Sequence, residues 1–159
     1  MSSPWKEGTI HDVSIKAFSI FSDDRGWLAE LFRRDEIAVA DFPAMGYLSS
    51  TFPGFARGPH EHHDQTDRFG FFSGHYRLFL WDAREDSPTS GKRHIVDVGA
   101  NNPVEVIIPP GVVHAYRNVG STPAFVLNFP DRLYAGEGKA EPVDEIRHED
   151  REDSLYEMP

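Results

Sequence analysis

The sequence contains no cysteine. That absence excludes disulfide bonds, thiolate zinc sites and cysteine nucleophiles, and it fits a protein of a reducing compartment. The chain also lacks an apolar run long enough to cross a bilayer, and its N-terminal stretch MSSPWKEGTIHDV has neither the basic nor the apolar segment of a secretion signal. We therefore expect a cytoplasmic protein with no membrane partner.

Positive charge is scarce in this chain. It has 16 Lys and Arg against 26 Asp and Glu, which gives a formal net charge of −10. Such a charge repels the phosphates of nucleic acids, so we expect no nucleic-acid partner. A phosphorylated small molecule stays open, because a few local arginines can bind a pyrophosphate.

The chain is long enough to bury its own core. Its 159 residues predict a single domain over 1–159, whose last part, 134–159, is an acidic extension. The stretch DEIRHEDRED at 144–153 is mostly charged and predicts a solvated tail.

Turn-forming residues are abundant, since 13 Gly and 12 Pro separate short aromatic and β-branched segments. The Ser73-Gly74 pair predicts a hairpin between two neighbouring strands, and 33–42 predicts one or two helical turns. Short strands separated by frequent turns are typical of an all-β sandwich or barrel. The predicted strands are 9–15, 27–32, 47–52, 68–72, 75–81, 93–98, 104–108, 113–118 and 124–129.

Metal-binding side chains are densest in the stretch GPHEHHDQTDRFGFFSG. Residues two apart on a strand point to one face, so we expect His60 and His62 to face inwards together while His63 points out. Asp67 adds a carboxylate. Imidazoles with a carboxylate are donors for a divalent metal such as zinc, although the same side chains without a metal would form a hydrogen-bonded cluster.

A second segment, PPGVVHAYRN, adds His114. The HxH pair, Asp67, the glycine seven residues later and the pattern PxGxxHxxxN are together similar to the two motifs of the cupin superfamily, in which a Glu more commonly stands at position 67. The resemblance implies an all-β cupin double-stranded β-helix, a jelly-roll barrel with short helical segments. It also implies a metal site formed by His60, His62, Asp67 and His114.

Four segments make the resemblance more specific: DDRGWLAELF, SSTFPGFARGPH, WDAREDSPTSGK and IIPPGVVHAY. Together they resemble the dTDP-4-dehydrorhamnose 3,5-epimerase family over most of the chain, up to about residue 150. The resemblance implies a homodimeric enzyme that acts on a nucleotide-linked 4-keto-6-deoxy sugar. In such chemistry a base of near-neutral pKa removes the proton next to the ketone, while a cation or hydrogen-bond donor stabilises the enolate.

The resemblance also implies roles by position. Arg25 and Glu30 would contact the nucleotide, and Arg57, whose guanidinium fork suits a pyrophosphate, would contact the phosphates. Arg68 lies near the position of the family's active-site lysine. His60 stands at the position of the general base.

Other catalytic parts have no direct match. The family's tyrosine acid falls by spacing on Leu127, which cannot donate a proton. Tyr116, which strand parity places on the inner face, and Tyr134 are other phenols of this region. The aspartate partner of the family's base lies in a C-terminal segment without a counterpart here, and Asp150 and Asp153 are the candidate substitutes.

The HxHH stretch further resembles the metal-binding C-terminal cupin of bifunctional capsular-sugar reductases. That likeness implies a metal that polarises the 4-keto oxygen. A metal-bound His60 cannot also be the free base, in which case His63, His75 or Tyr116 would take that role. The candidate catalytic residues are therefore His60, His114 and Tyr116, with His60 open between base and ligand.

Three functions fit these patterns. The preferred one is an isomerase that epimerises, or shifts the keto group of, a nucleotide-linked deoxysugar, with a divalent metal as its one expected cofactor. The second is a non-catalytic cupin that binds a sugar nucleotide or another small ligand and has lost the acid. The third is a metal-dependent oxygenase or lyase, which needs open coordination positions on its metal.

Overall fold

The computed structural model describes residues 3–159, most of whose strands form two facing β-sheets. Met1 and Ser2, at the start of the segment that lacks a secretion signal in its sequence, lie outside the described residues. Within this range no helix has the length and apolar character needed to span a membrane. The helical segments are 3₁₀ turns at Arg34–Glu36, Val39–Asp41 and Glu137–Lys139. The strands are β1 (Lys6–Glu7), β2 (Ser14–Ala17), β3 (Ile20–Asp23), β4 (Gly26–Ala29), β5 (Tyr47–Thr51), β6 (Ala56–Glu61), β7 (Asp67–Phe71), β8 (His75–Asp82), β9 (Lys92–Gly99), β10 (Val104–Ile108), β11 (Val112–Asn118), β12 (Ala124–Asn128) and β13 (Ile146–Arg147).

The strand order defines a jelly roll. The first sheet runs β1-β9-β8-β11-β6-β13 and the second runs β2-β10-β7-β12-β5, while β3 and β4 pair separately. From β7 onwards the chain passes repeatedly between the sheets: β7, β10 and β12 belong to the second, and β8, β9 and β11 to the first. This alternation confirms the predicted all-β jelly-roll barrel.

The hairpin predicted at Ser73-Gly74 is wrong. β7 pairs with β10 and β12, whereas β8 pairs with β9 and β11, so this turn carries the chain from one sheet to the other. The turn is tight enough to require glycine, since a Cβ on Gly74 would lie 2.2 Å from the Cβ of Ala124. A short turn signal shows that the chain reverses, but not which sheet the next strand joins.

The main core lies between the sheets. Alternate residues of each strand point inwards, so Phe69 and Phe71 of β7 meet Leu78 of β8 and Tyr116 of β11. Phe125 lies on the other face of its strand and is 46% exposed, because β12 turns its neighbours Ala124 and Val126 inwards.

The C-terminal stretch is packed, which corrects the prediction of a solvated tail. The outer face of the first sheet carries a second apolar cluster, formed by Phe79, Trp81, Val113 and Ala115, and Trp5, Tyr156 and Met158 pack against it. The Trp5 and Tyr156 rings stack with centroids 5.4 Å apart. The charged residues of the C-terminal stretch are thus followed by apolar side chains, Tyr156 and Met158, that pack on this face. The short strand β13 in addition pairs with the edge of β6.

Candidate active site

Four predicted metal-binding side chains converge at one end of the barrel. His60 on β6 lies directly opposite His114 on β11, His62 follows β6, and Asp67 begins β7. One donor atom from each of these residues lies within 4.8 Å of the others. The two sequence motifs thus meet at a single point, although Asp67 and His114 are 47 positions apart in the chain.

A β-bulge at Gly58 sets the direction of His60. His114 pairs with His60, but Tyr116 pairs with Arg57, so β6 contains one residue more than β11 between these pairs. Gly58 has φ +80°, and a Cβ there would lie 2.4 Å from the carbonyl oxygen of His114. Only glycine permits this close approach, which places His60 on the inner face.

Asp67 lies at the centre of the cluster. Its Oδ2 is 3.1 Å from Nε2 of His62 and 3.1 Å from Nε2 of His114, and the residue is 1% exposed. Its Oδ1 accepts hydrogen bonds from the side-chain amides of Gln65 at 2.9 Å and Asn128 at 2.8 Å. The aspartate therefore reaches the histidines although it is one methylene shorter than the more common glutamate.

The outer nitrogens of two histidines are fixed by carbonyl groups. Nδ1 of His114 donates to the carbonyl of Val112 at 3.0 Å, and Nδ1 of His62 donates to the carbonyl of Asp144. In the neutral rings Nε2 then carries a lone pair directed at Asp67. Lone pairs that converge in this way require a proton or a metal ion between them.

The residues present fit a divalent metal. Among the described residues, buried Oδ2 of Asp67 and Nε2 of His114 have no well-aligned hydrogen bond, although they are 3.1 Å apart. Ligand atoms of a tetrahedral ion with bonds of about 2.0 Å lie about 3.3 Å from one another, which is close to this spacing. The outer carbonyl contacts are the kind that orient ligating histidines.

Without a metal, a proton holds the cluster together. Burial opposes charge on His62, but the hydrogen bond and charge of Asp67 outweigh it and raise the pKa of His62 to about 9. Burial likewise opposes ionisation of Asp67, yet His114 and His62 bring its pKa well below the usual range. Burial, together with His114 and His62, lowers the pKa of His60, so this imidazole is neutral near pH 7.

A cavity of about 430 Å³ opens beside the cluster. Tyr116 lies in its wall at 2% exposure, on the same face as His114 as strand parity predicts, and its hydroxyl is 3.3 Å from Oγ of Ser49. Burial raises the pKa of Tyr116, so the phenol keeps its proton. The cavity is also lined by Tyr47, Arg57, His60, His62, Gln65, Tyr134 and Glu145.

Two acidic residues of the site were missed in the sequence. Oε1 of Glu145 lies 3.8 Å from Nδ1 of His60, and Asp144 binds the loop after β6. Asp150 and Asp153, the candidate substitutes for the carboxylate partner, are instead exposed and pair with Arg147 and Arg151. The signal available was Ile146, an apolar residue within the charged run, which marks the short strand β13.

Three predicted substrate contacts lie outside this cavity. Arg25 is on the exposed β3–β4 hairpin and pairs with Asp23, and Glu30 follows that hairpin. Arg68 forms an ion pair with Glu105 at 2.5 Å. Of the predicted substrate-binding residues, Arg57 is the one that lines the cavity with the histidines.

Of the remaining candidate residues, one lines the cavity wall and the others lie on the protein surface or on the outer side of a sheet. His63 and His75 are exposed, and His75 lies 3.5 Å from Asp97. Leu127 alternates with the buried residues of β12 and so lies on the outer side of that sheet. The position at which spacing places the family's tyrosine acid therefore does not face the cavity. Tyr134 does line the cavity, with 57% of its surface exposed.

A two-sheet jelly roll whose paired strands direct histidines and a carboxylate to one point, beside a substrate-sized cavity, defines a cupin. The sequence model of one family, dTDP-4-dehydrorhamnose 3,5-epimerase, matches residues 7–150. The chain belongs to this family of sugar epimerases, which confirms the resemblance drawn from the sequence motifs.

Individual relatives agree with this assignment. The spore coat polysaccharide biosynthesis protein SpsL of Bacillus subtilis is 38% identical over 125 residues, covering 79% of this chain and 82% of the relative. The probable low-salt glycan biosynthesis epimerase Agl13 of Haloferax volcanii is 36% identical over 126 residues, covering 79% and 81%. The crystal structure of a dTDP sugar isomerase from Desulfovibrio desulfuricans G20 shares the fold, with a TM-score of 0.79 at 24% identity over 100% of this chain and 94% of that one.

Proposed function

We propose that this protein epimerises a carbon next to the ketone of a nucleotide-linked 4-keto-6-deoxy sugar. The observation that carries the proposal is the cavity, which brings a neutral imidazole (His60), a protonated phenol (Tyr116) and a guanidinium (Arg57) to one space. These are a base, an acid and a phosphate-binding cation, and family membership supports the same chemistry.

The proposed reaction moves one proton off the sugar and one proton on. A neutral ring nitrogen of His60 takes the proton from the carbon next to the ketone, and the electrons of the broken C–H bond form an enolate. Tyr116 then gives its hydroxyl proton to the same carbon from the other face, and solvent exchange restores both groups. Glu145, 3.8 Å from Nδ1 of His60, stabilises the imidazolium formed in the first step.

Arg57 is suited to the diphosphate. Its Nε donates to Oγ1 of Thr51 at 3.2 Å and one Nη donates to the carbonyl of Ser50 at 2.9 Å, which orients the guanidinium on β6. The side chain is exposed at the cavity, so its remaining donors are accessible to an incoming phosphate.

A metal site beside the base is the second part of the proposal. We propose that His62, Asp67 and His114 bind a divalent metal such as zinc, since both Nε2 atoms meet at Oδ2 of Asp67. His60 forms no ion pair with Asp67 within 4 Å, so we assign it as the base and not as a fourth ligand. A bound metal would supply Lewis-acid polarisation of the keto oxygen.

We also propose a homodimer located in the cytoplasm, where nucleotide-linked substrates are supplied. The β3–β4 hairpin exposes Phe21 at 60%, Trp27 at 57% and Leu28 at 60%, a concentration of apolar surface that fits a second copy of the chain. Arg25 lies on this same hairpin, and dimerisation would give it a route to the partner's cavity.

Solvent exchange tests the catalytic proposal. In D₂O the protein should incorporate deuterium next to the ketone of dTDP-4-keto-6-deoxyglucose, as seen by NMR or mass spectrometry. His60→Asn and Tyr116→Phe should each reduce the rate by about 100-fold or more, in line with general acid–base contributions. The matched control is His63→Asn, an exposed histidine of the same stretch. No incorporation by the wild-type protein at high concentration would refute the epimerase proposal.

Metal content tests the division of roles among the histidines. Protein purified without a histidine tag should contain metal by elemental analysis, and His62→Asn and His114→Asn should each lose it. His60→Asn should keep the metal while losing exchange activity. Loss of metal in His60→Asn would show that His60 is a ligand, and unchanged metal in His62→Asn would refute the site.

A further inference from the structure

Asp144 holds four consecutive residues of the loop that joins β6 to β7. Its Oδ1 accepts the backbone N–H of His63 at 2.7 Å, and its Oδ2 accepts those of Asp64 and Gln65, each at 2.9 Å. Its own carbonyl oxygen accepts Nδ1–H of His62. One residue from the far end of the chain therefore binds four consecutive residues of this loop, while the next residue, Thr66, donates its backbone N–H to Asp131.

Two side chains of this loop contact Asp67, the carboxylate at the centre of the site. His62 presents Nε2 to Asp67 because its other nitrogen is occupied by the Asp144 carbonyl. Gln65 donates its side-chain amide to the second oxygen of Asp67 at 2.9 Å. Displacing the loop would move both of these partners of Asp67 at once.

Asp144 is itself held firmly. β13 begins two residues later, with Ile146 opposite Glu61 and Arg147 opposite His60. Beyond it, the backbone N–H of His148 donates to the carbonyl of Pro59 at 2.9 Å, and the His148 ring is 2.8 Å from Oε1 of Glu61. The segment after Asp144 is thus fastened to the strand that carries His60.

We propose that Asp144 is a positioning residue, which through its carboxylate and carbonyl fixes the loop after β6 and directs Nε2 of His62 at Asp67. The proposal rests on the proposed function in so far as it concerns catalysis. Its structural part, the capping of three consecutive amides, is measurable without any activity. Outer contacts of this kind commonly change activity or metal affinity by about 10- to 100-fold when removed.

The experiment compares three variants of the full chain. Asp144→Ala removes all three acceptor contacts, Asp144→Asn keeps one acceptor oxygen, and Asp153→Asn is the control, an exposed carboxylate of the same segment that pairs with Arg151. Amide hydrogen exchange by NMR reports on the loop, and the KM and kcat of proton exchange into the keto sugar report on the site. Metal dissociation constants for added Zn²⁺ give a second functional readout.

We expect Asp144→Ala to lose protection at the amides of His63, Asp64 and Gln65 and to lower kcat about 10-fold or more, with KM changed less than threefold. Asp144→Asn should be intermediate in both, and Asp153→Asn should match the wild type. Unchanged protection at these amides would overturn the proposal, and so would lost protection with kcat and Zn²⁺ affinity unchanged. An inactive wild type would refute the proposed function and leave the amide and Zn²⁺ results to decide the role of Asp144.

Discussion

The proton shared by His62 and Asp67 makes the stability of the metal-free protein depend on pH. The pKa of His62 is about 9 in the folded protein and about 6.5 in an unfolded chain. Because the folded value is raised, the stabilisation is fully present below pH 6.5 and is lost as the pH rises through 9. The pKa of His60 is instead lowered by folding, so its effect appears as the pH falls below 6.5 and is nearly constant above 7.

The magnitude follows from the two pKa values of His62. Between them the free energy of unfolding falls by up to 1.36 kcal/mol per pH unit, which amounts to about 2 kcal/mol from pH 7 to pH 9. The side chain is 10% exposed, so screening by solvent is small. An effect of this size is a large fraction of the stability of an ordinary domain.

Urea unfolding of EDTA-treated protein at several pH values between 7 and 9 measures this loss. The control is His62→Gln, which lacks the titrating ring and should show a nearly flat profile, at lower overall stability. If the wild type and His62→Gln have the same slope, the raised pKa of His62 is not the cause and the reasoning is refuted. A wild-type slope near zero would equally contradict it.

Three further substitutions test the packing of the chain and its assembly. Gly58→Ala should lower the free energy of unfolding, measured in urea, by about 3 kcal/mol or more. The control is Gly54→Ala, which has a similar φ but no atom within 4 Å of the new Cβ and should cost about 1 kcal/mol; equal losses would contradict the clash at Gly58. Tyr156→Ala should cost about 2 kcal/mol through lost ring packing, against less than about 0.5 kcal/mol for the 63%-exposed Leu155→Ala. Trp27→Lys should shift the protein towards monomer in sedimentation velocity, and an unchanged dimer would place the interface elsewhere.

Features that depend on local pattern could be predicted from the sequence. Strand alternation placed His60 with His62 and His114 with Tyr116, and the structure shows all four lining one site or its wall. Turn residues likewise delimited most of the strands. These signals depend on neighbours in the chain, and periodicity records them directly.

Features that depend on distant partners could not be predicted. Whether β8 continues the sheet of β7 or crosses to the other one depends on which strands are adjacent in space, and Ser73-Gly74 fits either course. Asp144 and Glu145 looked like solvated charges because their partners, the loop amides and His60, lie some eighty residues earlier. A charged run is interpreted correctly only when the groups it meets are known.

β13 also protects a sheet edge. It is two residues long and covers the outer side of β6, the strand that carries His60, at the end of the first sheet. An uncovered strand edge is a template for pairing with another chain. Proteolytic cleavage before Asp144 would therefore do more than dismantle the site: it would open an edge for self-association, so inactivation and concentration-dependent aggregation should appear together.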